Sequence, residues 1–525
     1  MRQIQTGTAL RQLLTEWPGQ NKRDLLTGLR SLGLDGLTTT DVNRVLYAGR
    51  GTFAHDGATP PRWRLAAGAE QGDGASIAPV PTRPRCYVGR EPRAWQREAL
   101  GEWHANGRRG VVEAVTGTGK TTVGVLAAAA AVDAGEKVLL LVPGRELLDQ
   151  WHAALRRDLR IGRVGRLGDG HRDSLSDHSV LVATVQSAAK GWIIPGGAPG
   201  LLIADEVHRY GAKSFARALN QGFEARLGLT ATYERTDNGL IDHLQPYFGE
   251  VVAGCTYERG LADDILAPFR VAFLGADFAG NERELYDQYD EQVRTLRRRL
   301  VLDHDCPAEP FGEFITHVNE LSRGGHGSPR ATMDASRYLN AFSKRRQLLA
   351  GCRRKREALA SLAPILAEAD AGLVFSETTA SAEQAAGILR GRGVSASEFT
   401  SELHRTARKH RLTEFKHGRI KVLTAPRVLD EGIDLPQAEV GVVVAGTQSK
   451  RQMIQRMGRV IRPKHDRRPA TFVVLYIRGT SEDPKNGAHE GFIDQLVDVV
   501  ADYKTFRPGA PEAKLLWWYR EGRLR

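Results

Sequence analysis

Ala-Val-Thr-Gly-Thr-Gly-Lys-Thr-Thr, residues 114–122, follows a short β-branched run at Val111-Val112 and precedes an alanine-rich helical run. The pattern predicts a loop at the junction of a buried strand and a helix, where backbone N–H groups and the helix dipole favour an anion. Gly117 and Gly119 would let the backbone close around phosphate oxygens, and Lys120 would reach the β- and γ-phosphates of a nucleotide. This stretch, called the P-loop below, therefore predicts a triphosphate site.

The P-loop also supplies a predicted metal ligand. In loops of this type the threonine directly after the lysine places its hydroxyl on Mg²⁺, so we assign Thr121 to that ion. Ala114 stands where such loops usually begin with glycine, so the pattern is matched in its second half, and the alternative is a glycine-rich turn before a helix. The predicted nucleotide contacts in the loop are Thr116, Gly117, Thr118, Gly119, Lys120, Thr121 and Thr122.

A pair of acids ends the next informative run. Leu-Leu-Ile-Ala-Asp-Glu-Val-His, residues 201–208, is apolar up to Asp205, as expected of a central parallel strand that delivers side chains at its carboxyl end. Asp205 is placed to hold Mg²⁺ through water, and Glu206 to orient or deprotonate the attacking water. Surface acids after a strand are the alternative, and the position downstream of the P-loop favours the catalytic interpretation.

Composition limits the classes of protein to consider. The chain has 525 residues, too many for one core, with 41% hydrophobic and 26% charged residues, which is typical of globular domains. The net charge of +12 favours a polyanionic partner such as nucleic acid, although a basic soluble surface would also explain it. No apolar run approaches the ~18 residues of a membrane span, so no membrane partner is predicted.

The four cysteines bear on the compartment. Cys86, Cys255, Cys306 and Cys352 lie far apart and have no spacing typical of zinc ligands. They predict a protein of the reducing cytoplasm without a structural metal.

Residues 1–65 predict a small separate domain. Helical patterns at residues 9–14 and 25–32 are followed by a third at 42–47, and two short strands are predicted at Phe53 and at residues 63–65. Three helices followed by a two-stranded wing predict a winged helix-turn-helix, whose third helix normally faces nucleic acid.

Two short stretches of this domain resemble a known type of winged helix. Asn-Arg-Val-Leu-Tyr at residues 43–47 and Pro-Pro-Arg-Trp at residues 60–63 resemble the Z-alpha type of winged helix, which binds left-handed duplex. Thr39 stands where that family usually has lysine. The alternative is that Tyr47 and Trp63 are core aromatics of a small domain. The nucleic-acid contacts implied by the resemblance are Asn43, Arg44, Tyr47, Pro60, Pro61 and Trp63.

Polar residues also follow other strand-like runs near the P-loop. Arg145 and Thr184 come at the carboxyl edge of the predicted sheet, where they could touch the phosphates of a nucleic-acid strand. Thr230 and Thr232 follow a later strand and could hydrogen-bond the acid loop, so that with His208 they sense the γ-phosphate.

The second half of the chain predicts another parallel sheet that has no P-loop of its own. Gln-Arg-Met-Gly-Arg-Val-Ile-Arg, residues 455–462, places Arg459 and Arg462 on one face of a helix, from which they would reach γ-phosphate charge if this domain closed over the first. A basic surface helix is the alternative. The remaining predictions in this half are Gln455 at the catalytic centre, Gly432 and Asp434 at the nucleotide, and Thr424 at the nucleic acid.

In this order the motifs resemble those of the superfamily 2 helicases over residues 93–463, and residues 228–237 with Leu-Ala-Pro-Phe at 266–269 are most similar to the XPB-like and type III restriction-helicase branch. The resemblance implies a duplex-DNA translocase or a 3′-to-5′ unwinder that uses ATP and Mg²⁺. It also implies that Gln96, before the P-loop, reads the adenine edge. Tyr233 stands where the family often has proline.

The predicted fold is α/β, with two tandem RecA-like parallel-sheet domains, an N-terminal winged helix-turn-helix and a helical segment between the lobes. The predicted boundaries are a winged helix at 1–65, a flexible linker at 66–85, a first RecA-like domain at 86–254, a helical connector at 255–362, a second RecA-like domain at 363–480 and C-terminal helices at 481–525. Basic runs in the connector, at residues 294–299, 344–346 and 353–356, could track a phosphate backbone or form a solvated face.

The function predicted from the sequence is an ATP-dependent DNA helicase or translocase acting on duplex DNA. The alternatives are an RNA helicase, or an ATP-gated nucleic-acid clamp or sensor in antiviral defence or repair. The chain has no nuclease signature, so any cleavage would come from a partner protein in trans. The sequence leaves the oligomeric state open.

Overall fold

The computed structural model describes residues 2–32, 34, 42, 46, 53–55, 62–65, 83–191, 193, 199–235, 237–324, 328–400, 402–426, 438–444, 458, 460, 468–486, 488 and 500–524. In this part of the chain, no helix combines the length and the apolar character that crossing a bilayer requires.

The N-terminal unit has a core of its own. Helices α1 (Arg2–Glu16) and α2 (Lys22–Ser31) pack on an antiparallel hairpin of β1 (Phe53–His55) and β2 (Trp63–Leu65). These two helices and two strands lie where the sequence predicted them. The winged-helix assignment stays a prediction, because the predicted third helix lies outside the described residues except for Val42 and Leu46. The core residues are Leu10, Leu13, Leu14, Leu25, Leu29, Val42, Leu46, Phe53 and Trp63.

The first lobe is built on an eight-stranded sheet whose strands pair in parallel except for its last pair. Its strands are β3 (Arg109–Ala114), β4 (Lys137–Val142), β5 (Gly165–Gly168), β6 (His171–Arg172), β7 (Val180–Thr184), β8 (Gly200–Asp205), β9 (Ala225–Thr230) and β10 (Val251–Cys255). They lie in the order β10-β3-β9-β8-β4-β7-β5-β6, which places β3, the strand before the P-loop, beside β9 near the acid-bearing β8.

Helices cover this sheet. They are α3 (Ala94–Ala105), α4 (Lys120–Asp133), α5 (Arg145–Asp158), α6 (Val185–Ala188), α7 (Lys213–Ala216), α8 (Gln245–Phe248) and α9 (Tyr257–Ala262). Helix α4 is alanine-rich and largely buried, because its small side chains let it pack between the sheet and neighbouring helices. Helix α5 buries one face, formed by Leu148, Trp151, Ala154 and Leu155, against the same core.

The second lobe begins earlier in the chain than predicted. Strand β11 (Phe269–Ala276) lies inside the segment expected to be a helical connector, yet it pairs in parallel along its full length with a strand some 200 residues later. All eight of its residues are buried. A continuous apolar run shows that a strand is buried but not which sheet it joins, and this is why the predicted boundary was wrong.

A helical bundle, called the insert, follows β11. It consists of α10 (Glu282–Asp303), α11 (Phe311–Ser322) and α12 (Pro329–Gly351), which share an apolar core. Helix α10 contributes Val293, Leu296 and Leu300 to this core, and all three are buried.

The second sheet is completed by strands from the rest of the chain. After α13 (Arg353–Ser361) and α14 (Ala363–Glu368) come β12 (Gly372–Phe375), α15 (Thr379–Gly391), β13 (Ala396–Glu398), α16 (Arg405–Lys416), β14 (Val422–Ala425), β15 (Val440–Val443), β16 (Ala470–Ile477), β17 (Asp502–Phe506) and α17 (Glu512–Leu524). The strand order is β13-β14-β12-β15-β16-β11-β17, and the pairs are parallel.

The C-terminal region contains a strand in addition to a helix, whereas only helices were predicted there. Strand β17 pairs with β11, whereas α17 agrees with the predicted last helix. The middle residues of β17 are exposed and polar or aromatic, as suits an edge strand, so the sequence shows little of the apolar character by which strands are recognised.

A buried ion pair fastens α13, the helix that follows the insert, to the loop after β16. Lys355 on α13 is fully buried, and its Nζ lies 2.5 Å from a carboxylate oxygen of Glu482, in the loop after β16. Removing one partner of such a pair leaves an uncompensated charge in a medium that solvates it poorly.

We expect Glu482→Ala to lower the free energy of unfolding of the second lobe by about 3–5 kcal/mol, because Lys355 would remain buried and unpaired. Guanidinium unfolding of the full chain measures this effect. Glu357→Ala, which breaks exposed pairs with Arg353 and Arg354 on the same helix, serves as the control, with an expected change of about 0.5 kcal/mol or less. Equal destabilisation by both variants would show that burial of the Lys355 pair is unimportant.

Candidate functional site

The P-loop has the geometry predicted for a phosphate cradle. It joins the end of β3 to the first residue of α4, and Gly117 and Gly119 have φ angles of 96° and 101°. Residues with a side chain rarely adopt this left-handed conformation, so the two glycines are required by the turn. The positive end of the helix dipole of α4 faces the same loop, because the helix begins at Lys120.

Lys120 is held beneath this loop. Its Nζ donates a hydrogen bond of 2.7 Å to the carbonyl oxygen of Ala114. Burial lowers the pKa of Lys120, and the nearby carboxylates of Glu206 and Asp205 oppose that change. The ammonium group therefore lies near both predicted acids, as a shared triphosphate site requires.

The threonines of the P-loop differ in their roles. Thr118 is fully buried and donates its hydroxyl to the Val115 carbonyl at 2.7 Å, so only its backbone could face a phosphate. Thr121 is exposed at the start of α4, and Thr116 and Thr122 are half-buried. The predicted side-chain role in metal binding is thus open to Thr121 and closed to Thr118.

Gln96 supports the P-loop from below. Its Oε1 accepts a hydrogen bond of 2.9 Å from the Arg93 backbone, and its Nε2 donates to the Gly119 carbonyl at 3.0 Å. Arg93 also donates to the Thr118 carbonyl at 2.8 Å. The predicted adenine contact of Gln96 remains a prediction, and the structure adds a support for the loop that sequence reasoning missed.

The acid pair lies where β8 ends. Asp205 is only 8% exposed, and its Oδ1 accepts a hydrogen bond of 3.0 Å from the Glu206 backbone. Burial raises the pKa of Asp205, whereas a hydrogen bond from the Trp151 indole and the charge of Lys120 lower it. Sequence reasoning missed Trp151, because its partner is 54 residues away in the chain.

Glu206 has a strained backbone. Its φ and ψ of 50° and 49° place a residue with a long side chain in the left-handed region, at a cost of about 1–3 kcal/mol. The turn redirects the carboxylate away from the strand, and one of its oxygens lies 3.6 Å from Nδ1 of His208.

The predicted coupling residues meet, with one difference. Nδ1 of His208 lies 3.0 Å from the Thr230 hydroxyl, which itself donates to the Thr232 carbonyl at 2.8 Å. Since the Thr230 proton is used on Thr232, the His208 Nδ1–H is the donor of the first bond. The Thr232 hydroxyl is buried and has no hydrogen-bond partner among the described residues, so Thr232 takes part through its backbone and not through its side chain.

The loop after β9 is fastened to the acid loop. Arg235 donates to the His208 carbonyl and pairs with Asp237, and Tyr233 donates its backbone N–H to Glu113 at 2.8 Å. The Tyr233 hydroxyl donates to the Gly249 carbonyl at 3.2 Å. Tyr233 stands where the resembled family often has proline, and its side chain packs and hydrogen-bonds within the first lobe.

The second lobe contacts the P-loop directly. A Cβ added to Gly458 would lie 2.3 Å from the Thr116 Cβ, and Val460 shares an apolar cluster with Val115 and Ala231 of the first lobe. Farther out, Arg408 lies 3.4 Å from Glu146 across the lobes. The predicted residues Gly432, Asp434, Gln455, Arg459 and Arg462 lie outside the described residues.

Two predicted nucleic-acid contacts are corrected by their burial. Thr184 is 5% exposed and donates to the Ser187 hydroxyl, and Thr424 is fully buried and donates to the Ala382 carbonyl. The Thr184 bond is local, whereas the Thr424 bond joins β14 to the first turn of α15, and both side chains are buried. Arg145, by contrast, is 76% exposed at the start of α5, 3.5 Å from Asp169.

The wing prediction is corrected at one residue. Trp63 is fully buried in the core of the N-terminal unit, which favours the alternative of a core aromatic over a nucleic-acid contact. Asn43, Arg44, Tyr47, Pro60 and Pro61 lie outside the described residues, so their contacts stay a prediction.

Most cations of the basic runs around the insert are paired with acids. Arg294 and Arg345 both contact Asp290, and Arg297 contacts Glu309. The structure therefore favours ion pairing over phosphate tracking for these cations, and Arg298 and Arg299 remain exposed. The other pairs are Arg346 with Glu377, Arg353 and Arg354 with Glu357, and Lys355 with Glu482.

Two family matches cover the two lobes. Residues 90–235 match the family described as Type III restriction enzyme, res subunit, and residues 354–464 match the Helicase conserved C-terminal domain. The first range contains the P-loop, the acid pair and the coupling threonines. The second contains Gly458 and the predicted arginines.

Curated relatives extend the similarity. The chain is 27% identical to the DNA 3'-5' translocase XPB2 of Sulfurisphaera tokodaii, over 75% of this chain and 83% of that protein. It is 26% identical to the DNA 3'-5' helicase XPB of Kineococcus radiotolerans, over 78% of this chain and 64% of that protein. Two further relatives, each 28% identical, are matched over 50% and 52% of their lengths, so the chain spans about half of them.

Solved structures share the fold. Saccharomyces cerevisiae Dbp5 bound to RNA and ADP BeF3 aligns with a TM-score of 0.53 at 14% identity, covering 82% of this chain and 94% of that chain. The ATP-dependent Type ISP restriction-modification enzyme LlaBIII bound to DNA aligns with a TM-score of 0.53 at 16% identity, covering 83% of this chain and 32% of that chain. At these identities the likeness concerns the two-lobed fold alone.

The contact between Gly458 and the P-loop can be tested directly. We expect Gly458→Ala to reduce ATP hydrolysis about tenfold or more, because overpacking by a methyl group at the lobe contact costs about 1–3 kcal/mol. A steady-state phosphate-release assay measures the loss. Gly387→Ala on α15 is the control, since its added Cβ would meet only the end of the Arg390 side chain, at 4.0 Å. Full activity in Gly458→Ala would argue against a catalytic role for this contact.

Proposed function

We propose, because this chain belongs to the superfamily 2 DNA helicases of the XPB type, that it hydrolyses ATP between its two lobes and uses the cycle to move along or unwind duplex DNA. The observation that carries this proposal is the meeting of three elements: a P-loop with left-handed glycines, the buried Asp205 and half-buried Glu206 whose charges act on Lys120, and a second lobe whose Gly458 lies against the loop. The relatives' names support 3′-to-5′ movement, which we propose for this chain as well.

Each residue of the first lobe has a role in this proposal. Lys120 and the P-loop N–H groups bind the β- and γ-phosphates, and Glu206 orients the attacking water. Asp205 and Thr121 would hold Mg²⁺, which would neutralise phosphate charge when bound with the nucleotide. Carboxylate and hydroxyl oxygens are ligands that Mg²⁺ prefers, and the described residues contain no cluster of acids, histidines or cysteines that would hold it without the phosphates.

The second lobe completes the site in the proposed cycle. Arg459 and Arg462 are the proposed arginine fingers, and the residues on either side of Arg459 support this assignment, because Gly458 lies against the P-loop and Val460 belongs to the same apolar cluster as Val115. Guanidinium groups supplied by a closing lobe would make hydrolysis depend on closure. ATP binding and phosphate release would then alternately close and open the lobes around a strand.

We expect Lys120→Ala and Glu206→Gln to reduce DNA-stimulated ATP hydrolysis by about 100-fold or more, because the first loses phosphate binding and the second loses the group that orients water. Glu206→Gln should still bind ATP, as measured with a fluorescent nucleotide. Glu224→Gln, an exposed acid of the same lobe, should retain wild-type turnover. Undiminished hydrolysis in Glu206→Gln would remove Glu206 from the mechanism.

The strand-binding face is proposed to include the start of α5. We expect Arg145→Ala to weaken DNA binding and to reduce the slope of log affinity against log salt concentration by about 1, because one phosphate contact is lost. Fluorescence anisotropy at several salt concentrations measures both. Arg156→Ala is the control, since Arg156 is exposed on the same helix roughly 16 Å from Arg145. An unchanged salt slope in Arg145→Ala would exclude a phosphate contact there.

The polymer itself is tested by the stimulation of hydrolysis. DNA duplex, single-stranded DNA and RNA should be compared at equal nucleotide concentration, and the proposal requires DNA to be the stronger activator. Strand displacement on substrates with 3′ or 5′ tails then tests direction. Stimulation by RNA alone would favour the RNA helicase alternative.

A further inference from the structure

One aromatic residue joins the acid pair to the nucleic-acid side of the first lobe. The indole Nε1 of Trp151, on α5, donates a hydrogen bond of 2.7 Å to Oδ2 of Asp205. Both side chains are buried, and the indole is 2% exposed. Asp205 is thereby held at both oxygens, since its Oδ1 accepts from the Glu206 backbone.

The indole is also wedged against the P-loop helix. A Cβ added to Gly124 of α4 would lie 2.7 Å from Cη2 of Trp151 and 3.0 Å from Leu229. Helix α4 therefore leaves a glycine-sized space that the six-membered ring of the indole fills. The ring has little freedom to turn, so the direction of its N–H is set by packing.

The helix that carries Trp151 begins with two exposed charged residues. Arg145, its first residue, is exposed, and Glu146 faces Arg408 of the second lobe. Trp151 lies six positions after Arg145, a distance of about 9 Å along the helix axis. A shift of the first turn of α5 would be transmitted to the indole, because a helix moves as a rigid element over this length.

We propose that Trp151 is a positioning residue, which orients the Asp205 carboxylate and links it to a DNA strand bound at the start of α5. The inference rests on the proposed function, in which Asp205 holds Mg²⁺ and Arg145 contacts a DNA strand. A bound DNA strand that shifts α5 would thereby change the orientation of the Asp205 carboxylate towards the metal and the nucleotide.

The first test separates the hydrogen bond from packing. Trp151→Phe removes the N–H and keeps an aromatic ring, and we expect it to weaken Mg²⁺-dependent binding of a fluorescent ADP about 10- to 100-fold, as is typical when a partner of a metal ligand is lost. Binding of the same nucleotide in EDTA should be unchanged.

A matched control exists in the same lobe. Trp103 is fully buried and donates its indole N–H to the Arg226 carbonyl at 3.0 Å, at the opposite end of the sheet. Trp103→Phe therefore loses the same kind of bond without touching the site. Equal effects of the two substitutions on Mg²⁺-dependent binding would overturn the proposal.

A double-mutant cycle identifies the route of the effect. In an Asp205→Ala background, Trp151→Phe should have no further effect on nucleotide binding, since its action passes through that carboxylate. A persisting loss would show that the indole acts by packing on α4, and the proposal would fail.

A second variant keeps the test available if Trp151→Phe does not fold. Gly124→Ala would displace the indole and should also weaken binding selectively in the presence of Mg²⁺. Gly101→Ala on α3, where an added Cβ meets no atom within 4 Å, is its control. Wild-type Mg²⁺ dependence in a folded Gly124→Ala protein would contradict the proposal.

The link to DNA has its own measurement. In the wild type, DNA should change the affinity for the Mg²⁺-nucleotide, and Trp151→Phe should reduce that ratio towards one while Trp103→Phe preserves it. A wild type in which DNA stimulates no hydrolysis would refute the proposed function itself. A DNA-stimulated wild type together with an unchanged ratio in Trp151→Phe would refute only the inference about Trp151.

Discussion

The second lobe can rest on the P-loop only because residue 458 has no side chain. A methyl group there would overlap Thr116, so the closest approach of the lobes is set by one glycine backbone. The contact lies directly over the loop whose left-handed Gly117 and Gly119 shape the phosphate cradle. The nucleotide site is therefore bounded by both lobes, and its chemistry depends on how closely they meet. Val460 belongs to the same apolar cluster as Val115 and Ala231, so part of this boundary is apolar surface, whose burial favours closure.

Closure also involves the insert, because the second lobe carries it. Strand β11 enters the second sheet before the insert begins, and the buried Lys355–Glu482 pair anchors the chain where the insert ends. The bundle reaches back to the first lobe, where Glu313 accepts a hydrogen bond of 3.1 Å from the Asn238 backbone, just after the loop that contains Tyr233 and Arg235. A rotation of the second lobe would therefore move the contact between Glu313 and Asn238 as well as the contact at the P-loop.

The parts that the sequence predicted are those whose chemistry demands a residue type at a local spacing. A phosphate cradle needs Gly117 and Gly119 before Lys120, and a metal-holding acid must end a buried strand, so these assignments needed no knowledge of distant contacts. The errors depend on partners far away or on the side of the backbone that a hydroxyl faces. Thr424 turns inward to the Ala382 carbonyl, β11 pairs with a strand nearly 200 residues later, and Trp63 fills a core where a contact surface was expected. Local patterns contain no information about such choices, because both outcomes satisfy the same periodicity.

Two costs lie at opposite ends of the relay that runs from Glu206 through His208 and Thr230 to Thr232. The left-handed backbone of Glu206 costs about 1–3 kcal/mol, and a buried hydroxyl without a partner, as at Thr232 among the described residues, costs about the same. Arg235 connects the two ends of this relay. It belongs to the loop that contains Thr232, and its side chain donates a hydrogen bond to the His208 carbonyl. A rearrangement that relaxes Glu206 would therefore move the loop that buries Thr232, and a new partner for that hydroxyl would act back on Glu206. The strained backbone of Glu206 and the unpartnered hydroxyl of Thr232 are thus joined through the bond from Arg235 to the His208 carbonyl, within the loops that end β8 and β9.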